Sequence, residues 1–169
     1  IEEALKRGAS SFVVEKKIES NNPCILVKDS YKFLNLLAKS TREEFKGNLV
    51  GVTGSNGKTS TKEIIFSLLS AEGICHKTLG NRNNQIGVPL SLSSLNKDFL
   101  FSVIEIGTSS VGEIKNLSEL VRPNIALITN ATESHLEGLG SIESVVKEKG
   151  SILDSLQNGG IAVLPRDSE

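Results

Sequence analysis

VTGSNGKTSTKE, residues 52–63, lies between an apolar run, Leu49–Val52, and a stretch of helical periodicity, Lys58–Ala71. A Gly-rich turn at such a junction has two uses. It is a tight strand-to-helix turn with a surface lysine, or a cradle whose backbone N–H groups and helix N-terminus meet phosphate oxygens. A strict Walker A motif, GxxxxGK[ST], would put its first glycine at residue 52, but that residue is Val52 and the glycines stand at 51, 54 and 57. The context still favours the cradle, because Lys58-Thr59 falls where a buried strand hands over to a helix. On that reading Thr53, Gly54, Ser55, Asn56, Gly57, Lys58, Thr59 and Ser60 line a triphosphate site. Lys58 reaches the β/γ-phosphates, and the Thr59 hydroxyl binds Mg²⁺. A phosphate loop alone leaves kinase, GTPase, motor and ligase open.

Alternation continues on both sides of the loop. Upstream, residues 1–28 read as a helix end (EEALKRG), a strand (SFVVEK), a turn at Asn21-Asn22-Pro23 and a strand (CILVK). Asp29 or Ser30 then caps a helix carrying Phe33, Leu34, Leu37, Ala38 and Phe45, closed by Gly47. In the helix after the loop, Ile64, Ile65, Leu68 and Leu69 are expected on one face, with Gly73 as the stop. Downstream come a strand at 74–79, an Asn-rich loop with a helix near 88–95, a strand at 99–106 and a helix at 112–120. A strand at 124–129, a helix at 142–156 and a strand at 160–164 complete the pattern. Apolar strands alternating with amphipathic helices predict an α/β fold, a mostly parallel sheet with helices on both faces. Ligands bind such sheets beyond the carboxyl ends of the strands, where the unusual polar residues fall.

With 169 residues, 38% of them hydrophobic, and a net charge of −1, the chain reads as soluble and globular. No basic excess points to nucleic acid or an anionic membrane, and no apolar run is long enough to insert in a bilayer. Cys24 and Cys75 lack CxxC spacing and read as reduced, buried thiols of a cytoplasmic protein. The sequence opens on Ile1 and contains no Met, so a segment of something longer is expected.

Single residues at the strand ends carry less decisive signals. Glu105 closes an apolar strand, where a carboxylate is costly unless it meets a cation; one Mg²⁺ would join it to Thr59. His135 shares a loop with Glu133 and Glu137 and by itself reads as a solvated side chain. Lys149 reads as one more surface lysine beside Lys147 and Glu148. Asn81, Asn83 and Asn84 form a neutral hydrogen-bonding loop of the kind used in turns and helix caps.

Taken together, TGSNGKTSTKE (53–63), TLGNRNNQIGVPL (78–90), EIGTSSVGEI (105–114) and TNATESHLEGLGSIESVVKEKG (129–150) resemble the Mur ligases of peptidoglycan synthesis, in order from about residue 4 to 164. The GN-x-NN-x-IG-x-P and HLEG-x-GS wording is that of the branch adding D-alanyl-D-alanine to UDP-N-acetylmuramoyl-tripeptide. The resemblance implies a P-loop-type central domain, present here in part over 29–169. Residues 1–28 would be the end of a small α/β domain that binds the UDP-substrate, and the C-terminal domain would be missing. It implies ATP and two Mg²⁺ ions, with Lys58, Glu105, His135 and Lys149 as catalytic residues. Thr59, Glu105, His135 and Lys149 would be the metal ligands, Lys149 in carbamylated form. Asn81, Asn83 and Asn84 would lie beside the muramoyl-peptide. A monomeric enzyme is expected. The chain departs from the family's usual wording at Ser109-Ser110, Ser134, Ser151 and Pro165-Arg166-Asp167, none of them a proposed metal ligand. Two alternatives stay open: another Mur or folylpolyglutamate-type ligase, and a nucleotide-binding module without catalysis.

Overall fold

The computed structural model describes residues 1–134 and 136–166. His135 and Asp167 therefore lie outside the described residues. The chain opens with a short helix, α1 (Glu2–Lys6), and two strands, β1 (Phe12–Val14) and β2 (Cys24–Leu26), which pair in parallel as a sheet of their own. Asp29 caps α2 (Ser30–Glu44) by accepting a hydrogen bond from Lys32 N at 2.9 Å. Strand and helix then alternate through β3 (Asn48–Thr53), α3 (Lys58–Glu72), β4 (Cys75–Lys77), α4 (Gly87–Ser93), β5 (Phe101–Glu105) and α5 (Glu113–Val121). The order closes with β6 (Ile125–Ile128), α6 (Leu136–Leu139), α7 (Ile142–Gly150) and β7 (Ile161–Val163).

Strands β3–β7 form one parallel sheet in the order β4-β5-β3-β6-β7. The expected α/β class, with helices on both faces, is what the chain adopts. Central β3 shows why its sequence is apolar throughout. Successive strand side chains point to opposite faces, so Leu49 enters one core with Ala38, Val88, Leu92, Ile104 and Ile152. Val50 and Val52 enter the other, with Val103, Ile65, Phe66 and Leu69. Gly51 belongs to this packing: a Cβ there would stand 3.3 Å from both Ile152 and Pro123. The chain leaves β3 toward β4 and β5, then crosses after β5 to β6 on the other side. That reversal of order opens a crevice at the carboxyl ends of β5, β3 and β6.

Several local expectations fail, each for a reason of packing. The buried stripe of α3 runs through positions 62, 65, 66 and 69, whereas Ile64 and Leu68 are 60% and 67% exposed. The stripe begins with Lys62, a charge, so a count of apolar residues settles one position off. The helix expected at 142–156 stops at Gly150 and tightens into a 3₁₀ turn over Ser151–Ser155. Ser151 Oγ donates to Glu148 O at 2.6 Å there, and the turn seats the fully buried Ile152. α6 is too short to show a period. Neither cysteine is buried as expected: Cys24 is exposed on the small outer sheet, and Cys75 is half-buried on the edge strand β4. No described helix is long and apolar enough to cross a membrane.

Candidate functional site

The segment joining β3 to α3 is a loop only glycine could shape. Gly54 takes φ +149° and Gly57 φ +76°, regions that side chains with a Cβ avoid. A Cβ on Gly54 would also collide with the Thr129 side chain. The segment after β6 holds the loop from the other side. Ser55 N donates to Asn130 O at 3.0 Å and Asn56 N to Asn130 Oδ1 at 2.9 Å, while Thr129 Oγ1 donates to Asn56 O at 2.6 Å. Ser134 Oγ donates to Ser55 Oγ at 2.9 Å, so the serine that departs from the family's usual residue serves the loop. Two of the amides at 54–58 are thus committed to Asn130. Those at the start of α3, on Lys58, Thr59 and Ser60, are the donors that any helix leaves unpaired within itself. The Thr53 hydroxyl is a buried polar atom without a hydrogen-bond partner among the described residues.

Lys58 folds back over the loop, its Nζ donating to Gly54 O at 2.8 Å and Ser55 O at 3.2 Å. Burial pushes its pKa below the usual lysine value, against the pull of Glu105. Thr59, next along the helix, donates from Oγ1 to both Glu105 oxygens, at 3.1 and 3.0 Å. Glu105 is 1% exposed at the end of β5, and strand pairing of β3 with β5 is what brings it to Thr59. Asn83 Nδ2 donates to the same carboxylate at 2.7 Å, and Lys62 Nζ lies 3.5 Å from it.

Among the described residues no three His, Cys, Asp or Glu side chains cluster closely enough to hold a metal by themselves. The Thr59 hydroxyl and Glu105 carboxylate are nevertheless hard oxygen donors within one ion's reach. Mg²⁺ commonly rests on one or two such groups and takes its remaining ligands from phosphate and water. The donor set fits.

Lys149 is not the surface lysine its pattern suggests. It is 1% exposed on α7, and its pKa is lowered to about 8, by burial first and then by the charge of Lys58, with Glu148 opposing. Glu148 is itself buried, accepting from Gly112 N at 2.7 Å, Ile114 N at 2.8 Å and Thr108 Oγ1 at 3.2 Å. It thereby caps α5 from α7 and fixes the turn on which Lys149 sits.

Beside this cluster lies a cleft of about 660 Å³, lined by Tyr31, Lys58, Asn83, Asn84, Gly107 and Thr108 among others. Asn83 and Asn84 border it, whereas Asn81 does not appear in its lining. Asn84 also serves the plainer purpose expected of such residues, its Oδ1 accepting from Ile86 N and Gly87 N at the start of α4. Nothing in the local spacing singles out Lys62, Glu148 or Asn130 as site residues. A carboxylate next to Lys149 and an Asn after β6 carry no local signature, and their roles arise from segments far apart in the chain.

A parallel sheet whose central strand runs through a glycine turn into a helix opening Lys-Thr, with a carboxylate on the neighbouring strand end, defines a phosphate-loop nucleotide-binding domain. Residues 52–169 match the Mur ligase middle domain, and the chain belongs to the Mur ligase family. It is 38% identical over 166 residues to the UDP-N-acetylmuramoyl-tripeptide--D-alanyl-D-alanine ligase of Bacillus subtilis, covering 96% of this chain and 36% of that protein. To the enzyme of the same name from Haemophilus influenzae it is 41% identical, covering 97% of this chain and 37% of that protein. A crystal structure of MurF from Acinetobacter baumannii superposes with a TM-score of 0.88 at 31% identity, over 100% of this chain and 37% of that one. MurF of Thermotoga maritima in complex with ADP gives 0.79 at 35% identity, over 98% and 39%. The chain thus spans little more than a third of the length of the curated relatives it matches.

Proposed function

We propose that the full-length gene product is a cytoplasmic, ATP-dependent ligase that adds D-alanyl-D-alanine to UDP-N-acetylmuramoyl-tripeptide, with this chain forming the nucleotide-binding heart of its active site. Residues 1–28 are assigned to the end of the domain that binds the UDP-substrate, a division supported by the separate β1–β2 sheet. Residues 29–169 are the first part of the central domain. The observation that carries the reading is the convergence of Lys58, Thr59, Glu105 and Asn83 at adjacent strand ends, with Lys58 and Asn83 also bordering the 660 Å³ cleft.

An amine does not displace hydroxide from a carboxylate at a useful rate near neutral pH. The remedy open to this site is to phosphorylate the carboxylate first. The tripeptide's terminal carboxylate attacks the γ-phosphorus of ATP, ADP leaves, and an acyl phosphate forms. The amino group of D-alanyl-D-alanine then adds to the acyl carbon, and phosphate departs as the amide closes. γ-Phosphoryl transfer is governed by positioning and charge neutralisation. Here the loop at 53–60 holds the phosphates, Lys58 places a cation at the β/γ end, and the cleft past Asn83 presents the carboxylate. Thr59 and Glu105 would hold one Mg²⁺, and His135 with Lys149 a second; bound magnesium neutralises phosphate charge. A lysine with pKa near 8 offers ~300-fold more free amine at neutral pH than an ordinary one. That amine adds to carbon dioxide and sheds a proton, giving the carbamate that turns Lys149 from a repelling cation into an anionic ligand.

Phosphate release by the full-length protein, with ATP and UDP-N-acetylmuramoyl-tripeptide, tests this. Release is expected with D-alanyl-D-alanine and not with single amino acids or glutamate. Lys58→Ala is expected to slow it by at least ~10²-fold, as loss of a transition-state donor does. Release driven by a single amino acid would reassign the enzyme within its family, and near-normal turnover in Lys58→Ala would remove the phosphate-loop assignment.

A further inference from the structure

Lys62 takes no part in the reaction outlined above, yet it is wholly buried. It lies one turn along α3 from Lys58 and Thr59. Its Nζ donates to Gly80 O at 2.6 Å and stands 3.3 Å from Glu63 Oε1 and 3.5 Å from Glu105 Oε2. A buried ammonium has three donors and needs three acceptors, and these three come from different parts of the fold. Glu63 sits on the helix of the phosphate loop and is paired in turn with Lys77 of β4. Glu105 ends β5. Gly80 belongs to the loop at 78–84, which also supplies Asn83 to the cleft.

The same loop reaches Glu105 a second way. Asn83 Nδ2 donates to the carboxylate at 2.7 Å, and Gly107 N donates to Asn83 O at 2.8 Å. One carboxylate is therefore held between an ammonium of α3 and an amide of the cleft-lining loop. The ammonium closes the circuit by holding that loop's backbone at Gly80.

Resting on the ligase reading, we propose that Lys62 is a positioning residue that couples the nucleotide site to the cleft taking the acyl substrate. A nucleotide that fixes Thr59 and Glu105 orders the loop through Lys62–Gly80 and Asn83. A substrate that orders the loop fixes Glu105 by the same contacts in reverse. Coupling of this kind is reciprocal. An apolar side chain of equal length fills the space beside α3 but grips neither the Gly80 carbonyl nor the carboxylate. The loop then keeps only its Asn83–Glu105 contact toward the nucleotide site, and α3 no longer holds its backbone at Gly80.

The test is equilibrium titration of the full-length protein with magnesium and a non-hydrolysable ATP analogue, with and without saturating UDP-N-acetylmuramoyl-tripeptide, and the converse titration. In the native protein each ligand is expected to tighten the other by at least ~5-fold, the lower end of ordinary coupling. In Lys62→Met that factor is expected to fall below ~2-fold, and Lys62→Arg is expected to restore part of it. A merely structural lysine would weaken both ligands without changing the ratio. Unchanged coupling in Lys62→Met, or no coupling in a native protein that binds both ligands, overturns the proposal. If Lys62→Met shows no cooperative thermal transition, Asn83→Ala replaces it, since that change breaks the other arm and leaves the buried charges paired. Full coupling in Asn83→Ala also overturns the proposal. A native protein that binds neither ligand would instead bring down the ligase reading itself.

Discussion

Replacing Lys149 with Met is expected to stabilise the chain at neutral pH, and to lose that advantage as the solution becomes alkaline. Lys149 is 1% exposed, and burial together with the Lys58 charge takes its pKa from 10.5 to about 8. At ~1.4 kcal/mol per pKa unit, keeping the proton on the buried amine costs about 3 kcal/mol below pH 8. The sign follows from proton counting. Between pH 8 and 10.5 the unfolded chain holds a proton that the native state has released, so stability rises with pH across that window. Below it the penalty is complete, and above it the penalty is gone. Methionine keeps the length and discards the charge. Urea unfolding of the 169-residue chain in carbon dioxide-free buffer should therefore show Lys149→Met ahead by up to ~3 kcal/mol at pH 7, with the gap closing by about pH 10.5. Carbon dioxide is excluded because a carbamate would replace the ammonium whose penalty is being measured. A variant less stable than the native chain at pH 7, or a gap independent of pH, would refute the reasoning. The same substitution in the full-length protein is expected to abolish ligation while leaving the fold intact.

Two further outcomes follow from single side chains and backbone positions. His76 packs edge-on against Phe99 with ring centroids 5.3 Å apart, and its Nδ1 lies 3.0 Å from Ser102 Oγ. Burial lowers its pKa from 6.5 to about 4, so stability is lost as pH falls through that interval, by about 3 kcal/mol in all. His76→Leu should flatten this part of the acid-denaturation curve, and an unaltered slope would show the ring to be solvated. Gly54→Ala and Gly57→Ala separate crowding from backbone strain. Both have positive φ, but a Cβ at Gly57 meets nothing within 4 Å while one at Gly54 strikes Thr129 and lies 3.2 Å from Asn130 N. Gly57→Ala should cost about 1–2 kcal/mol of stability from the left-handed backbone alone, and thermal denaturation should find Gly54→Ala distinctly worse. Equal losses would mean that the contact between the loop and the segment after β6 does not constrain Gly54.

Local sequence alone was enough to read the class of fold and the place of the candidate site. Both are written in local patterns: apolar strands, capped helices, and a glycine turn whose lysine and threonine must open a helix. It also located Glu105, because a carboxylate ending an apolar strand is conspicuous. What surrounds each charge depends instead on packing between distant segments. Lys62, Lys149 and Glu148 look in sequence like any solvated charge on a helix, and the apolar residues of α3 even point to a neighbouring stripe. Only the sheet order, which sets β5 beside β3 and β6 on its other flank, carries these groups to the crevice and takes them out of water. Burial is a property of distant segments meeting, and desolvation together with pairing, which no local spacing encodes, turns an ordinary lysine into one with a shifted pKa or a fixed set of partners.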